Sequence, residues 1–199
     1  MALKFKSLGV CAAALLVAAC GGGSTGGGTG SFSDLQRQLA DADRYIENNP
    51  ATPVRNMPTS GGADYSGFVN VLELSAQNEG TLAFQAIGSL DLRANFTRGT
   101  VSGTGRDFYQ YQDPNAQTPR SAGPIAGSLA VSGTINQGLV EGDINGRLTR
   151  RNGVAAVYDL DLLGTFSGQG ANGLVGFGFG TADRGNNRVN DAAVVFVAR

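Results

Sequence analysis

The sequence has no histidine and no tryptophan, only two cysteines and two methionines, and lysine only at Lys4 and Lys6. Each scarcity closes off some chemistry. Without an imidazole, the commonest general base and a common metal ligand are missing. Cys11 lies inside an apolar N-terminal run and Cys20 at its end, so no disulfide is expected in the folded part and no thiolate nucleophile or soft metal site is available there. Beyond residue 6 the basic residues are all arginine, 13 of them against 16 carboxylates, a balance of about −3. That excludes the basic patch a nucleic-acid binder needs. No cofactor and no metal is expected. The carboxylates Asp159 and Asp161, and Glu141 and Asp143, alternate with apolar residues. They read as the wet faces of strands, not as an acid–base pair. Asp183-Arg184-Gly185-Asn186-Asn187 carries oxygen donors that could suit calcium but reads as a polar hairpin loop. The chain is therefore not expected to be an enzyme.

The N-terminus has the layout of an export signal. Lys4 and Lys6 are its positive end, and Leu8 to Ala19 its apolar run. A membrane-spanning helix needs about 20 apolar residues, and this run is too short. It ends in Val17-Ala18-Ala19-Cys20, which resembles the lipobox of bacterial lipoproteins: small residues let the backbone into a peptidase cleft, and the cysteine is acylated. Several acyl chains on one residue, at about 0.8 kcal/mol per buried methylene, anchor a protein stably. Residues 1–19 are thus read as a lipoprotein signal peptide and Cys20 as the lipidation site. In lipoproteins, Gly21 after the cysteine, in place of Asp, implies sorting to the outer membrane. Gly21 to Gly30 (GGGSTGGGTG) is a flexible tether, completing a 20–30 anchor segment. No strand precedes it and no lysine follows it, so it is not a phosphate-cradling loop.

Residues 31–59 predict one short amphipathic helix and a linker. Ser33 with Gln36 three positions on matches a capping box, and Leu35, Leu39, Ala42 and Ile46 share one helical face. Asn49-Pro50 ends the pattern. Such a helix packs on the following domain or plugs one end of it, with a partner-binding helix as the alternative. Beyond Gly62 the period changes from 3.6 to 2. In Leu139–Thr149, Val140, Gly142, Ile144, Gly146 and Leu148 alternate with Glu141, Asp143, Asn145, Arg147 and Thr149, the pattern of a strand with one dry side. The segments around Leu90–Phe96, Leu129–Ile135 and Val154–Phe166 repeat it, with weaker candidates at Ala63–Leu74, Thr100–Gly105, Gly173–Ala182 and Ala192–Arg199. Short links at Thr97-Arg98-Gly99, Asn136-Gln137-Gly138 and Arg151-Asn152-Gly153 favour sequential pairing. About eight such strands predict an eight-stranded antiparallel up-and-down β-barrel, which closes to remove its edges. Gly103, Gly133, Gly142 and Gly146 on the inner faces suit a narrow lumen filled by side chains. The absence of tryptophan and the scarcity of tyrosine argue against the aromatic girdles of a transmembrane barrel.

Residues 60–199 resemble the β-barrel domain of transferrin-binding protein B-like surface lipoproteins, a group related to factor H-binding protein-like lipoproteins. The resemblance rests on Gly62-Ala63-Asp64-Tyr65-Ser66-Gly67, on Ala94-Asn95-Phe96 leading through Gly99-Thr100-Val101-Ser102-Gly103, and on Leu129-Ala130-Val131-Ser132-Gly133. Gly164-Thr165-Phe166-Ser167-Gly168, Gly176-Phe177-Gly178 and a closing strand to Ala198-Arg199 complete it. It implies an outer-membrane, surface-exposed lipoprotein that binds a host or environmental protein, with iron-related uptake as the family role. The larger members' second barrel and handle domains have no room here. Two alternatives stand beside protein capture. One is a carrier of a small apolar ligand such as haem, which would need tyrosine ligation with Met57 remote from the barrel. The other is a structural envelope lipoprotein without a dedicated ligand. Asp107 to Ala122 is the longest stretch without alternation in the barrel region. Its Phe108, Tyr109, Tyr111 and Arg120 are of the types that anchor interfaces, and form the candidate partner-binding loop; the alternative is that Phe108 and Tyr109 simply finish a strand and tuck over the barrel mouth.

Replacing Cys20 by Ala is expected to move the protein from the detergent phase to the aqueous phase on temperature-induced partition. Mass spectrometry of the N-terminal peptide should find acyl chains only in the unsubstituted protein.

Overall fold

The computed structural model describes residues 30–75, 81–185 and 189–199; the signal segment, Cys20 and the tether up to residue 29 lie outside them. The period-two segments form β1 (Gly62–Leu74), β2 (Leu82–Asn95), β3 (Thr100–Tyr111), β4 (Ser121–Pro124), β5 (Ala126–Asn136), β6 (Leu139–Thr149), β7 (Ala155–Ser167), β8 (Gly173–Asp183) and β9 (Val189–Ala198). All pairings are antiparallel, and β1 pairs with both β2 and β9, which closes the sheet. β4 and β5 make a single stave. Both pair with β3, and between them the Ile125 N–H donates to the Phe108 carbonyl at 2.8 Å. The result is the expected eight-staved up-and-down barrel. The β5–β6 link is a two-residue hairpin, with Gln137 and Gly138 both at positive φ (50° and 85°) between the paired Asn136 and Leu139.

Alternation decides what is inside. On β6, Val140, Ile144 and Leu148 are buried, while Glu141, Asp143 and Arg147 are exposed. The same phase on the other staves brings Leu129, Leu160, Leu162, Phe166 and Phe196 into one apolar interior, each full burial contributing about 1.5–3 kcal/mol. Apolar inside and charged outside is the reverse of a transmembrane barrel, so the wall faces water. No helix among the described residues is long and apolar enough to cross a membrane. The lumen is narrow because rings occupy the space above glycines: the Phe196 ring lies where a Cβ on Gly176 would stand.

β3 is longer than its alternation predicts, and the reason is a bulge. Ser89 pairs with Arg106 but Ile87 with Tyr109, so two residues of β3, Asp107 and Phe108, face the single Gly88. Asp107 takes the left-handed conformation this needs (φ 53°). The extra residue shifts the inward phase from odd positions (Val101, Gly103, Gly105) to even, which sends Phe108 into the core. A Cβ on Gly88 would stand 2.7 Å from the Phe108 ring.

The helix α1 spans Phe32–Asn48. Its cap is Ser31, not Ser33. The Ser31 hydroxyl accepts from the Asp34 N–H at 3.3 Å, and the Asp34 carboxylate accepts from the Ser31 N–H at 3.2 Å. The Ser31 hydroxyl, which donates to the same carboxylate at 2.7 Å, and then the Ser31 N–H hold the Asp34 carboxyl below its usual pKa. Both serines could cap a helix here, and the reciprocal bond from Asp34 selects the first. Leu35 and Ala42 are buried and Leu39 packs beside them, while Ile46 remains exposed. The helix lies on the outside of the barrel, not in its mouth. It covers Phe68 of β1, Ile87 of β2 and Val197 of β9, which accounts for apolar residues in outward phase at those positions.

The segment after α1 crosses one end of the cylinder. Ala51 bridges Ser167, the Thr52 N–H donates to the Phe166 carbonyl at 2.8 Å, and the Thr52 hydroxyl donates to the Gly168 carbonyl at 2.7 Å. Met57, expected to be remote from the barrel, packs against its core beside the β5–β6 turn at Gly138. The helix stop at Pro50 turns the chain across this end, which the linear sequence does not reveal. Phe96 and Tyr65 stack toward Phe166 beneath it, at centroid separations of 5.4 and 6.1 Å.

Candidate functional site

The opposite end of the barrel carries the longer connections and an unusual group. On β1 the inward phase runs Tyr65, Val69, Val71 and then Glu73, whose side chain is wholly buried. A lone carboxylate at such a position would cost several kcal/mol in lost hydration. Here four strands supply its partners. The Arg150 guanidinium, just past β6, donates to Oε1 at 2.8 Å, and the Tyr158 hydroxyl on β7 donates to the same oxygen at 2.7 Å. Arg184, just past β8, ion-pairs with Oε2, and Asn190 on β9 donates to it at 3.4 Å. Arg150 also lies over the Phe84 ring of β2, 4.2 Å from its centroid. The two guanidiniums stopper the mouth and tie its staves together. Burial, and then the neighbouring Glu73, push the Tyr158 phenol well above its usual pKa, so it stays a donor.

Of the four residues of the candidate partner-binding loop, Tyr109 and Tyr111 lie together, while Phe108 and Arg120 stand apart from them and from each other. β3 runs through Tyr111, so the connection itself is only residues 112–120. Phe108 is fully buried in the barrel interior. Tyr109 and Tyr111 face outward beneath α1. The Phe32 ring meets Tyr111 edge-on at 5.4 Å and Tyr109 at 6.1 Å, and Gln36 donates to the Tyr111 hydroxyl. Arg120 alone is exposed. The connection is pinned back on β2 by the Asn115 amide, which exchanges two 3.0 Å hydrogen bonds with the Leu82 backbone. Sequence reasoning missed the Glu73 group, although one signal was present: an acid in the inward phase of β1, two positions after Val71.

The lumen between the two ends is occupied by side chains along its length, from Tyr158 and Phe84 near the Glu73 mouth to Phe166 and Tyr65 at the other. A hollow of about 340 Å³ lies outside the barrel wall, by Gly62, Arg93, Asn95 and Arg98.

No protein-family model matches the chain, and no curated protein matches it. Among solved structures it is similar to intact Ap-TbpB, a protein of N and C lobes, with 16% identity and a TM-score of 0.47 over 75% of this chain and 28% of that one. It is also similar to two mutants of the vaccine antigen Transferrin Binding Protein B from Haemophilus parasuis. These show 16% and 17% identity, each with a TM-score of 0.43, over 75% of this chain and 28% and 27% of theirs. The chain thus spans under a third of the length of these proteins, and the likeness is one of fold.

Replacing Glu73 by Gln leaves two guanidiniums in the mouth without their counter-charge and is expected to lower unfolding free energy by about 3–5 kcal/mol, read as a shift of the urea midpoint. Alkali provides a second test. Burial raises the Tyr65 and Tyr111 phenols to about 12, above the value of about 10 of an unfolded chain. Their contribution to stability is complete below pH of about 10 and is lost as pH rises toward about 12. Phenolate absorbance followed against pH should therefore rise together with loss of the barrel's circular dichroism.

Proposed function

We propose that this chain is a lipid-anchored outer-membrane lipoprotein that acts as a protein-binding module through the outside of a filled barrel. The observation that carries this reading is the occupation of both ends, by the Glu73–Arg150–Arg184 group at one and by Thr52, Met57 and Phe166 at the other. A carrier needs a lumen its cargo can enter, and here the lumen is spent on packing. The lipobox ending at Cys20 supports a membrane address, and the charged wall supports a folded part standing in water on its tether. The resemblance of residues 60–199 to transferrin-binding protein B-like lipoproteins supports a protein as the ligand, with iron-related uptake as its setting. Arg120 belongs to this reading as an exposed contact at the loop-bearing rim. Phe108, Tyr109 and Tyr111 belong to it as the residues that hold that rim in shape.

The competing assignment, a carrier of haem or another small apolar ligand, is tested on the purified protein. Titration with haem, followed by its absorbance, and with a fluorescent fatty-acid analogue is expected to give no saturable uptake. Saturable one-to-one binding of either, abolished by enlarging an inward side chain such as Val140→Phe, would overturn the proposal.

A further inference from the structure

The outer faces of β6 to β9 differ from the rest of the wall. Of the eleven large apolar side chains exposed among the described residues, seven stand on these four strands. The strand registers show how they are grouped. Leu163, Phe177 and Val195 are direct cross-strand neighbours on β7, β8 and β9, and Phe179 follows Phe177 on the same face. The two rings lie 5.2 Å apart, and Phe179 is 58% exposed. α1 covers the adjoining Val197 and Phe68 but leaves this row open.

Carboxylates border the row. Glu141 pairs with Leu163, Asp161 with Phe179, and Asp143 with Asp161, while Asp159 and Asp191 flank Thr181. Asp143 directly opposite Asp161 is a like-charge pair, which destabilises a sheet. Elsewhere the wall neutralises its acids: Arg106 lies 2.6 Å from Asp91, and Arg93 lies 3.8 Å from Asp64. Among the described residues none of the five carboxylates around the aromatic row has such a partner, and Arg147 is the one cation on the outer faces of these strands.

We infer that this wall is the docking surface for a basic protein segment that inserts apolar side chains between Phe177, Phe179, Leu163 and Val195. The inference rests on the reading of the chain as a protein-binding module and names the chemistry of its partner. An apolar centre with a charged rim is the anatomy of a protein interface, and here the rim is of one sign. That sign selects the occupant. An anionic bilayer is repelled by it, and a second copy laid face to face would set one row of carboxylates against another. An arginine- or lysine-bearing surface supplies the missing counter-ions.

The test uses the full chain and two synthetic peptides as probes, one alternating Arg with Phe and one alternating Arg with Ser, with nuclear magnetic resonance mapping and fluorescence anisotropy at low salt. The Arg–Phe peptide is expected to bind and to shift the amides of β7, β8 and β9, with the Arg–Ser peptide about tenfold weaker. The paired substitution F177S/F179S should weaken Arg–Phe binding about tenfold or more. D143N/D161N should flatten its salt dependence while raising thermal stability, a gain that reports relief of the like-charge pair and shows that the variant is folded. Shifts that map elsewhere, such as to the rim bearing Arg120, would overturn the inference while leaving the protein-binding reading intact. So would unchanged affinity in folded F177S/F179S, preferred binding to vesicles of phosphatidylglycerol, or a dimer abolished by F177S/F179S. Saturable haem in the lumen is the separate result that defeats the broader reading.

Discussion

The pairing of β1 with β9 joins Gly67–Glu73 to Ala192–Ala198, residues more than a hundred positions apart in the chain, and everything else in the structure assumes it. Until that ladder forms, the other staves are an open meander with two free edges and an apolar face in water. Once it forms, the inward residues of eight staves share one interior, and Glu73 on β1 comes within reach of Asn190 on β9 and Arg184 beyond β8. Closure of this kind is entropically expensive, since a long loop must be fixed before its contacts form. The Glu73 group rewards it with interactions that only the closed cylinder can make.

The same closure determines how much room is left inside the molecule. A barrel of this strand number has a lumen just wide enough to be filled by side chains or to hold one small ligand. Phe84, Phe108, Tyr158, Phe166 and Phe196 take the first course. The inside is thus committed to stability, while on the outside the described residues of β1 to β3 pair their charges and those of β6 to β9 do not. The buried acid and the exposed acids thus play opposite parts. Glu73 is satisfied by its own chain, whereas the carboxylates beside Phe179 have no counter-ion among the described residues.

Much of this was legible in the sequence, and the failures have physical causes. β6 was readable to the residue because its alternation is unbroken from Leu139 to Thr149. β3 was cut short because the bulge at Asp107 inverts the phase of alternation, so Phe108 to Tyr111 looked like an unpatterned loop with aromatics on offer. Tyr109 and Tyr111 point outward, as an interface residue would. That α1 covers them is a tertiary fact with no trace in local periodicity. The helix itself was found from its apolar spacing, but its cap was displaced by two residues, since two serines compete and only the side-chain geometry of Asp34 decides between them. Glu73 could have been singled out as a charge in dry phase. Its partners, scattered from Arg150 to Asn190, could not.

One consequence of the seat of α1 concerns posture. Phe32, at the start of the helix, touches Tyr111 at the loop-bearing rim, whereas Tyr45, near its end, reaches Ser167 at the far rim. The helix therefore runs the height of the barrel, with its start at the rim that bears the loops. Seated upright in this way, the helix shields one flank of the wall from rim to rim and leaves the flank of β7 and β8 bare.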